Sequence, residues 1–179
     1  MSEKKDVYTQ AKSQMRLSER IAAALPGFRG YKEKELRRES DKLVRTHLAL
    51  KLEKGKDNVR SISQKIADKR YLDVLPDIDR LTAKMDRITQ KINHASYGYS
   101  GFFDIVKIKE ENLDRMIAFD NQLLDGVNAL TENIEVLKTQ LLSGDYTNLK
   151  DKIQNIAGKY ELLEDTFDKR QEVIVGVTA

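Results

Sequence analysis

Of the residues able to do chemistry, the chain holds two histidines, His47 and His94, 29 acidic residues and no cysteine. Without cysteine there is no thiol nucleophile, cysteine-ligated zinc, iron–sulfur cluster or disulfide framework. A di-iron helical bundle needs a carboxylate three residues before each ligating histidine, and Val44 and Lys91 occupy those places. Neither histidine belongs to a His-x-Glu or His-Glu-x-x-His motif. The glycine patterns that cradle phosphates or carry a nucleophile elbow are also missing. The expectation is no catalytic residue, no metal and no cofactor. His47 continues the apolar set Leu36, Leu43 and Leu50 and reads as a half-buried packing residue. Carboxylates in a chain with 34% charged residues read as solvated partners one helical turn from a base, as Arg37 with Asp41.

Two other constellations suit binding. Lys34, Arg38, Lys42 and Arg45 fall on one face of a helix, a stripe suited to an anionic membrane surface or to nucleic acid. Lys12, Arg16 and Arg20 repeat it upstream, while Glu35, Glu39 and Asp41 dilute its field. The alternative is a solvated face, or one that meets the acidic half of a neighbouring molecule. Tyr97, Tyr99, Phe102 and Phe103 alternate with Gly98 and Gly101. Glycine gives such a loop freedom and aromatic rings give it rigid contact area, a pairing suited to a partner. Equally, the rings would cap the open end of a bundle.

The elements that must position these groups are helical. Across 179 residues there are two prolines and nine glycines, with 40% hydrophobic residues, a composition that favours long helices over a turn-rich β fold. Leu25-Pro26-Gly27 ends a first helix, Lys54-Gly55-Lys56-Asp57 separates a second from a third, and Ser96 to Gly101 and Ser143-Gly144-Asp145 are loops. Leu75-Pro76-Asp77 either separates two helices or kinks one, the kink being favoured because it yields three rods of similar length. Helices are expected at 8–25, 31–54, 57–73, 76–94, 104–142 and 147–174. No sequence repeat is visible.

The last two helices carry the most information. Leu113, Met116, Asp120, Leu123, Val127, Leu130, Ile134, Leu137 and Leu141 follow coiled-coil spacing, and so do Leu149, Ile153, Ile156, Tyr160, Leu163, Phe167, Arg170 and Ile174. If the chain reverses near Asp145, facing residues have numbers of constant sum. Leu141 with Leu149 sums to 290, as does every pair down to Leu123 with Phe167. Asp120 then meets Arg170, the acid and the base of the two seams, as a structural ion pair that fixes register. Polar flanks after Gly126 predict that this end projects as a two-helix tip.

The fold class expected is all-α, an elongated antiparallel helical bundle with a long C-terminal coiled-coil hairpin. Residues 1–54 are expected to form a basic N-terminal helical hairpin packed on a long-helix bundle of 57–179 that ends in the coiled-coil hairpin, the two making one structural unit. The formal charge of +3 conceals a basic half and an acidic half: 23 Lys and Arg against 14 Asp and Glu through His94, then 9 against 15, or +9 and −6. No run of about 18 apolar residues occurs and no apolar core follows the charged N-terminus, so a cytoplasmic location is expected. The leading functional expectation is a non-enzymatic scaffold or adaptor acting through protein–protein interaction or self-association. Peripheral binding of anionic membrane or nucleic acid is second, and an enzyme of unrecognised type third.

Overall fold

The computed structural model describes residues 17–30, 34–95 and 110–175, with no strand among them. Helix α1 covers 17–24 and α2 runs Lys34–Asp68. A 3-10 turn at Leu72–Val74 leads into α3, Leu75–Asn93. Helices α4, Glu110–Leu142, and α5, Leu149–Val175, complete an all-α bundle. The chain divides into two compact units. One takes the described parts of 1–47, 96–123 and 166–179, the other 48–95 and 124–165.

Three boundaries differ from expectation. Gly55 does not end a helix: α2 passes through it for 35 residues. The residue is buried, and a Cβ there would lie 3.4 Å from Ile134 Cδ1, 3.5 Å from the Tyr160 hydroxyl and 3.6 Å from Met85 Cε. Its missing side chain admits three neighbouring helices, and their packing outweighs a helix-propensity cost of about 1 kcal/mol. The real break comes at Arg70, whose φ of 61° is left-handed. Arg70 N–H donates to Ala67 O at 2.9 Å and Tyr71 N–H to Ile66 O at 3.1 Å, the bond pair of a Schellman C-cap. Pro76 therefore kinks nothing. It stands in the first turn of α3, where its missing N–H has no helical acceptor to lose.

An arginine with a Cβ holds a position that glycine usually takes. Arg70→Gly is expected to stabilise the chain by about 0.5–1 kcal/mol, because the left-handed strain is relieved without loss of the cap bonds. An unchanged or lower urea midpoint counts against this account.

The two long seams are buried throughout their described length, from Leu113 to Leu141 and from Leu149 to Arg170. In the second unit Lys152 Nζ donates to Gln140 Oε1, and a Cβ on Gly126 would lie 3.1 Å from Leu163 Cδ1. Both contacts place α4 and α5 antiparallel near the expected register. The projecting tip is overturned, because α4 beyond Gly126 also packs on α2. Lys51 Nζ donates to Asn128 Oδ1 at 2.5 Å and Asn58 Nδ2 to Glu135 Oε1 at 2.6 Å. Of the polar residues flanking the seam, Lys138 Nζ donates to Asn58 Oδ1 on α2 at 2.8 Å, while Thr131 and Asn133 bond carbonyls of their own helix.

Burial also exposes a repeat that residue identities hide. The α2/α3 positions Leu52, Val59, Ile62, Ile66, Val74, Ile78, Leu81, Met85 and Ile88 are buried. Shifted by 75 they become Val127, Ile134, Leu137, Leu141, Leu149, Ile153, Ile156, Tyr160 and Leu163, also buried. Only Ile78 and Ile153 are identical in this set; the rest share apolarity and spacing. The turn aromatics Tyr71 and Tyr146, related by the same shift, stack with centroids 4.6 Å apart and planes 11° apart. The second unit is thus two similar helical hairpins side by side, α2 parallel to α4 and α3 parallel to α5.

Candidate functional site

In the first unit four charged side chains from three helices converge. Asp41 from α2, Asp120 from α4 and Arg170 from α5 are each at most 1% exposed. Arg170 Nε donates to Asp120 Oδ1 at 2.6 Å, and its Nη2 lies 2.8 Å from Asp41 Oδ1. Arg45 Nε donates to Asp41 Oδ2 at 2.9 Å from one turn further along α2. Two carboxylates meet two guanidiniums, so the enclosed charge is balanced and each charge has a hydrogen-bonding or ion-pair neighbour. Around them Asn121 Nδ2 donates to Ile117 O at 2.9 Å and to Leu17 O at 3.1 Å, joining α4 to α1. Ser40 Oγ donates to Gly30 O at 3.0 Å and ties the loop after α1 to α2.

The structure therefore brings Asp120 and Arg170 together and adds a third member that sequence reasoning missed. Asp41, expected as a solvated carboxylate, is 1% exposed. A signal was available: Asp41 lies three residues before Val44 and seven before Leu48, in phase with the buried seam of α2. Of the set around His47, Leu43 and His47 itself are half-buried, as expected, whereas Leu50 is 66% exposed.

The basic stripe is only partly assembled. Arg38 and Lys42 are exposed. Arg45 turns into the buried cluster and is mostly covered, and the side chain of Lys34 lies outside the described residues. Tyr97, Tyr99, Phe102 and Phe103 also lie outside them. Among the described residues no group of three histidines or acids is placed to hold a metal.

The second unit carries its polar chemistry between hairpins. Glu164 accepts from Arg87 Nη2 at 2.5 Å and from Lys91 Nζ at 3.3 Å, and Lys84 pairs with Glu161. Gln154 Nε2 and Arg80 Nη2 donate to Asp77 Oδ1 at 3.2 Å and 2.7 Å; together, Gln154 first, they hold that carboxyl below its ordinary range. Burial pushes the Glu164 carboxyl up, but its hydrogen bonds to Arg87 and Lys91 outweigh this and hold it low. A carboxylate depressed in the folded chain contributes stability that is present above the unfolded pKa of about 4.3 and lost as pH falls through the folded value. The stability difference between the native chain and Glu164→Gln is thus expected to be largest near neutrality and to shrink below about pH 4. A difference constant from pH 7 to pH 3 in urea titrations counts against that assignment.

Two grooves flank this interface. One, about 310 Å³, lies between α3 and α5 and is lined by Asp77, Arg80, Lys84, Gln154, Ala157, Gly158 and Glu161. The other, about 350 Å³, lies on the far side of the second hairpin, between α4 and α5. It is lined by Asn133, Val136, Leu137, Gln140, Asp151, Lys152, Asn155 and Ile156. The class defined by these features is an all-helical bundle of paired hairpins. No protein-family profile, curated protein or solved structure matches the chain. No described helix is long and apolar enough to cross a membrane.

Proposed function

We propose that the chain is a non-enzymatic helical scaffold or adaptor that acts through protein contacts, self-association among them. The observation that carries this reading is the set of large apolar side chains on the outside of the second unit. Leu50, Val136, Leu142 and Leu162 are each more than 60% exposed, and Val136 borders the groove between α4 and α5. Exposed apolar surface beside a groove is a feature of protein-binding faces. The +9 and −6 halves of the sequence add a charge complementarity that draws chains together at low ionic strength.

Sedimentation velocity at low and high salt tests the self-association. A mass that rises with concentration at low salt and falls as salt is added is expected; a monomer under both conditions overturns it. A second reading, contact with an anionic surface, draws on Arg38 and Lys42, which are exposed one turn apart on α2. Vesicle and oligonucleotide binding that survives Arg38→Glu and Lys42→Glu overturns that reading.

A further inference from the structure

The relation between the two hairpins of the second unit can be continued beyond the chain. Within the chain, most side-chain contacts between parallel helices join residues 77 apart, among them Lys84 with Glu161 and Asp77 with Gln154. Equivalent positions of the two hairpins are 75 apart, as the buried seams show. The contact shift exceeds the repeat by two residues, and two residues of helix are about 200° of rotation. Each hairpin therefore uses opposite faces to meet its neighbours, as stacked helical repeats do. One face of each hairpin is used inside the chain and the other is left outside.

We propose that the outer face of the α4/α5 hairpin docks the outer face of the α2/α3 hairpin of a second copy, stacked as the two hairpins of one chain are stacked. The proposal rests on the self-association reading and specifies its geometry. Lys159 is the equivalent of Lys84, and Asp86 that of Glu161, so an ion pair of the internal interface returns between copies with the same signs. Lys152 is the equivalent of Asp77, and Asp79 that of Gln154, which adds a second pair of opposite charges. Both aspartates are exposed on α3, Asp86 on the side of α2, where it meets Lys56, and Lys152 lines the outer groove whose floor includes Leu137 and Ile156. Those two floor residues are the equivalents of Ile62 and Leu81, which are buried in the first hairpin. The two faces differ, so the contact is heterologous and lets further copies add unless the rotation closes a ring.

Full-length chains carrying Lys152→Glu with Lys159→Glu, or Asp79→Lys with Asp86→Lys, place like charges across the contact. Each variant alone is expected to lose association at least roughly tenfold at low salt, and an equimolar mixture to recover it because opposite charges again face each other. Asp86 also pairs with Lys56 at 2.5 Å. Asp79→Lys alone and an unchanged helical circular dichroism spectrum therefore separate lost docking from lost folding. Variants that associate like the native chain, or a mixture that stays monomeric, overturn the stacking and leave the scaffold reading standing. A native chain that is monomeric at both salts overturns the stacking and the self-association together.

Discussion

Replacing Arg170 with methionine will destabilise the chain by about 3–5 kcal/mol, because it strips the cation from a sealed cluster and leaves two carboxylates facing one guanidinium. Asp41 and Asp120 are at most 1% exposed, so water cannot replace the lost donors without opening the first unit. For a protein of this size that cost corresponds to a fall in Tm of roughly 6–20 °C. Asp120→Asn removes one negative charge instead, leaving Arg170 beside Asp41 at 2.8 Å and Arg45 at the edge of the cluster. Its cost is expected to be smaller, because the excess positive charge reaches toward solvent through Arg45. The double variant restores neutrality, with Asp41 and Arg45 still joined at 2.9 Å. It is therefore expected to be less destabilised than the two single changes summed, by at least about 1 kcal/mol. Urea unfolding of the four chains completes the cycle. Strict additivity would mean that the 2.6 Å contact carries no coupling, and the cluster would not be the device that holds α2, α4 and α5 together.

The second large effect belongs to Gly55. Leucine there is expected to cost about 3 kcal/mol, because its added carbons enter space already filled by Ile134, Tyr160 and Met85. Alanine is expected to behave differently. Its Cβ meets those neighbours at 3.4–3.6 Å, ordinary contact distances, while the helix gains up to about 1 kcal/mol of propensity. Gly55→Ala should thus lie between neutral and stabilised, the opposite sign from Gly55→Leu. Met85→Ala opens the space that leucine needs, so its combination with Gly55→Leu should unfold at a higher urea concentration than additivity allows. If Gly55→Leu is tolerated as well as alanine, the close approach of the four helices at this level is not what keeps the residue glycine.

Gly126 resembles Gly55 and shows why type alone misleads. Each is a glycine within a helical pattern, and spacing carried the seam through Gly126 while Gly55 read as a cap. The difference lay in the neighbours. Gly126 lies between Leu123 and Val127 of a seam whose spacing holds on both sides, whereas Gly55 stands among Lys54, Lys56 and Asp57, which resemble a loop. In the folded chain Lys56 reaches Asp86 on α3, so a charge that signalled solvent has a partner one helix away.

What the sequence determined by itself is the part set by local periodicity. The helical class, the seams of α4 and α5, and the meeting of Asp120 with Arg170 all follow from 3.6 residues per turn and a reversal near Asp145, because antiparallel helices of equal rise keep a constant sum. What only the tertiary structure decided is which other helix each face meets. That choice put Asp41 beside Arg170, drew Arg45 out of the basic stripe, laid α2 along α4 and kept Gly55 inside a helix. The physical reason is that propensities and charge patterns act within a few residues and amount to about 1 kcal/mol each. Contacts between helices, 77 residues apart along the chain for Lys84 and Glu161, are decided by burial summed over whole faces. A single local signal cannot report that sum.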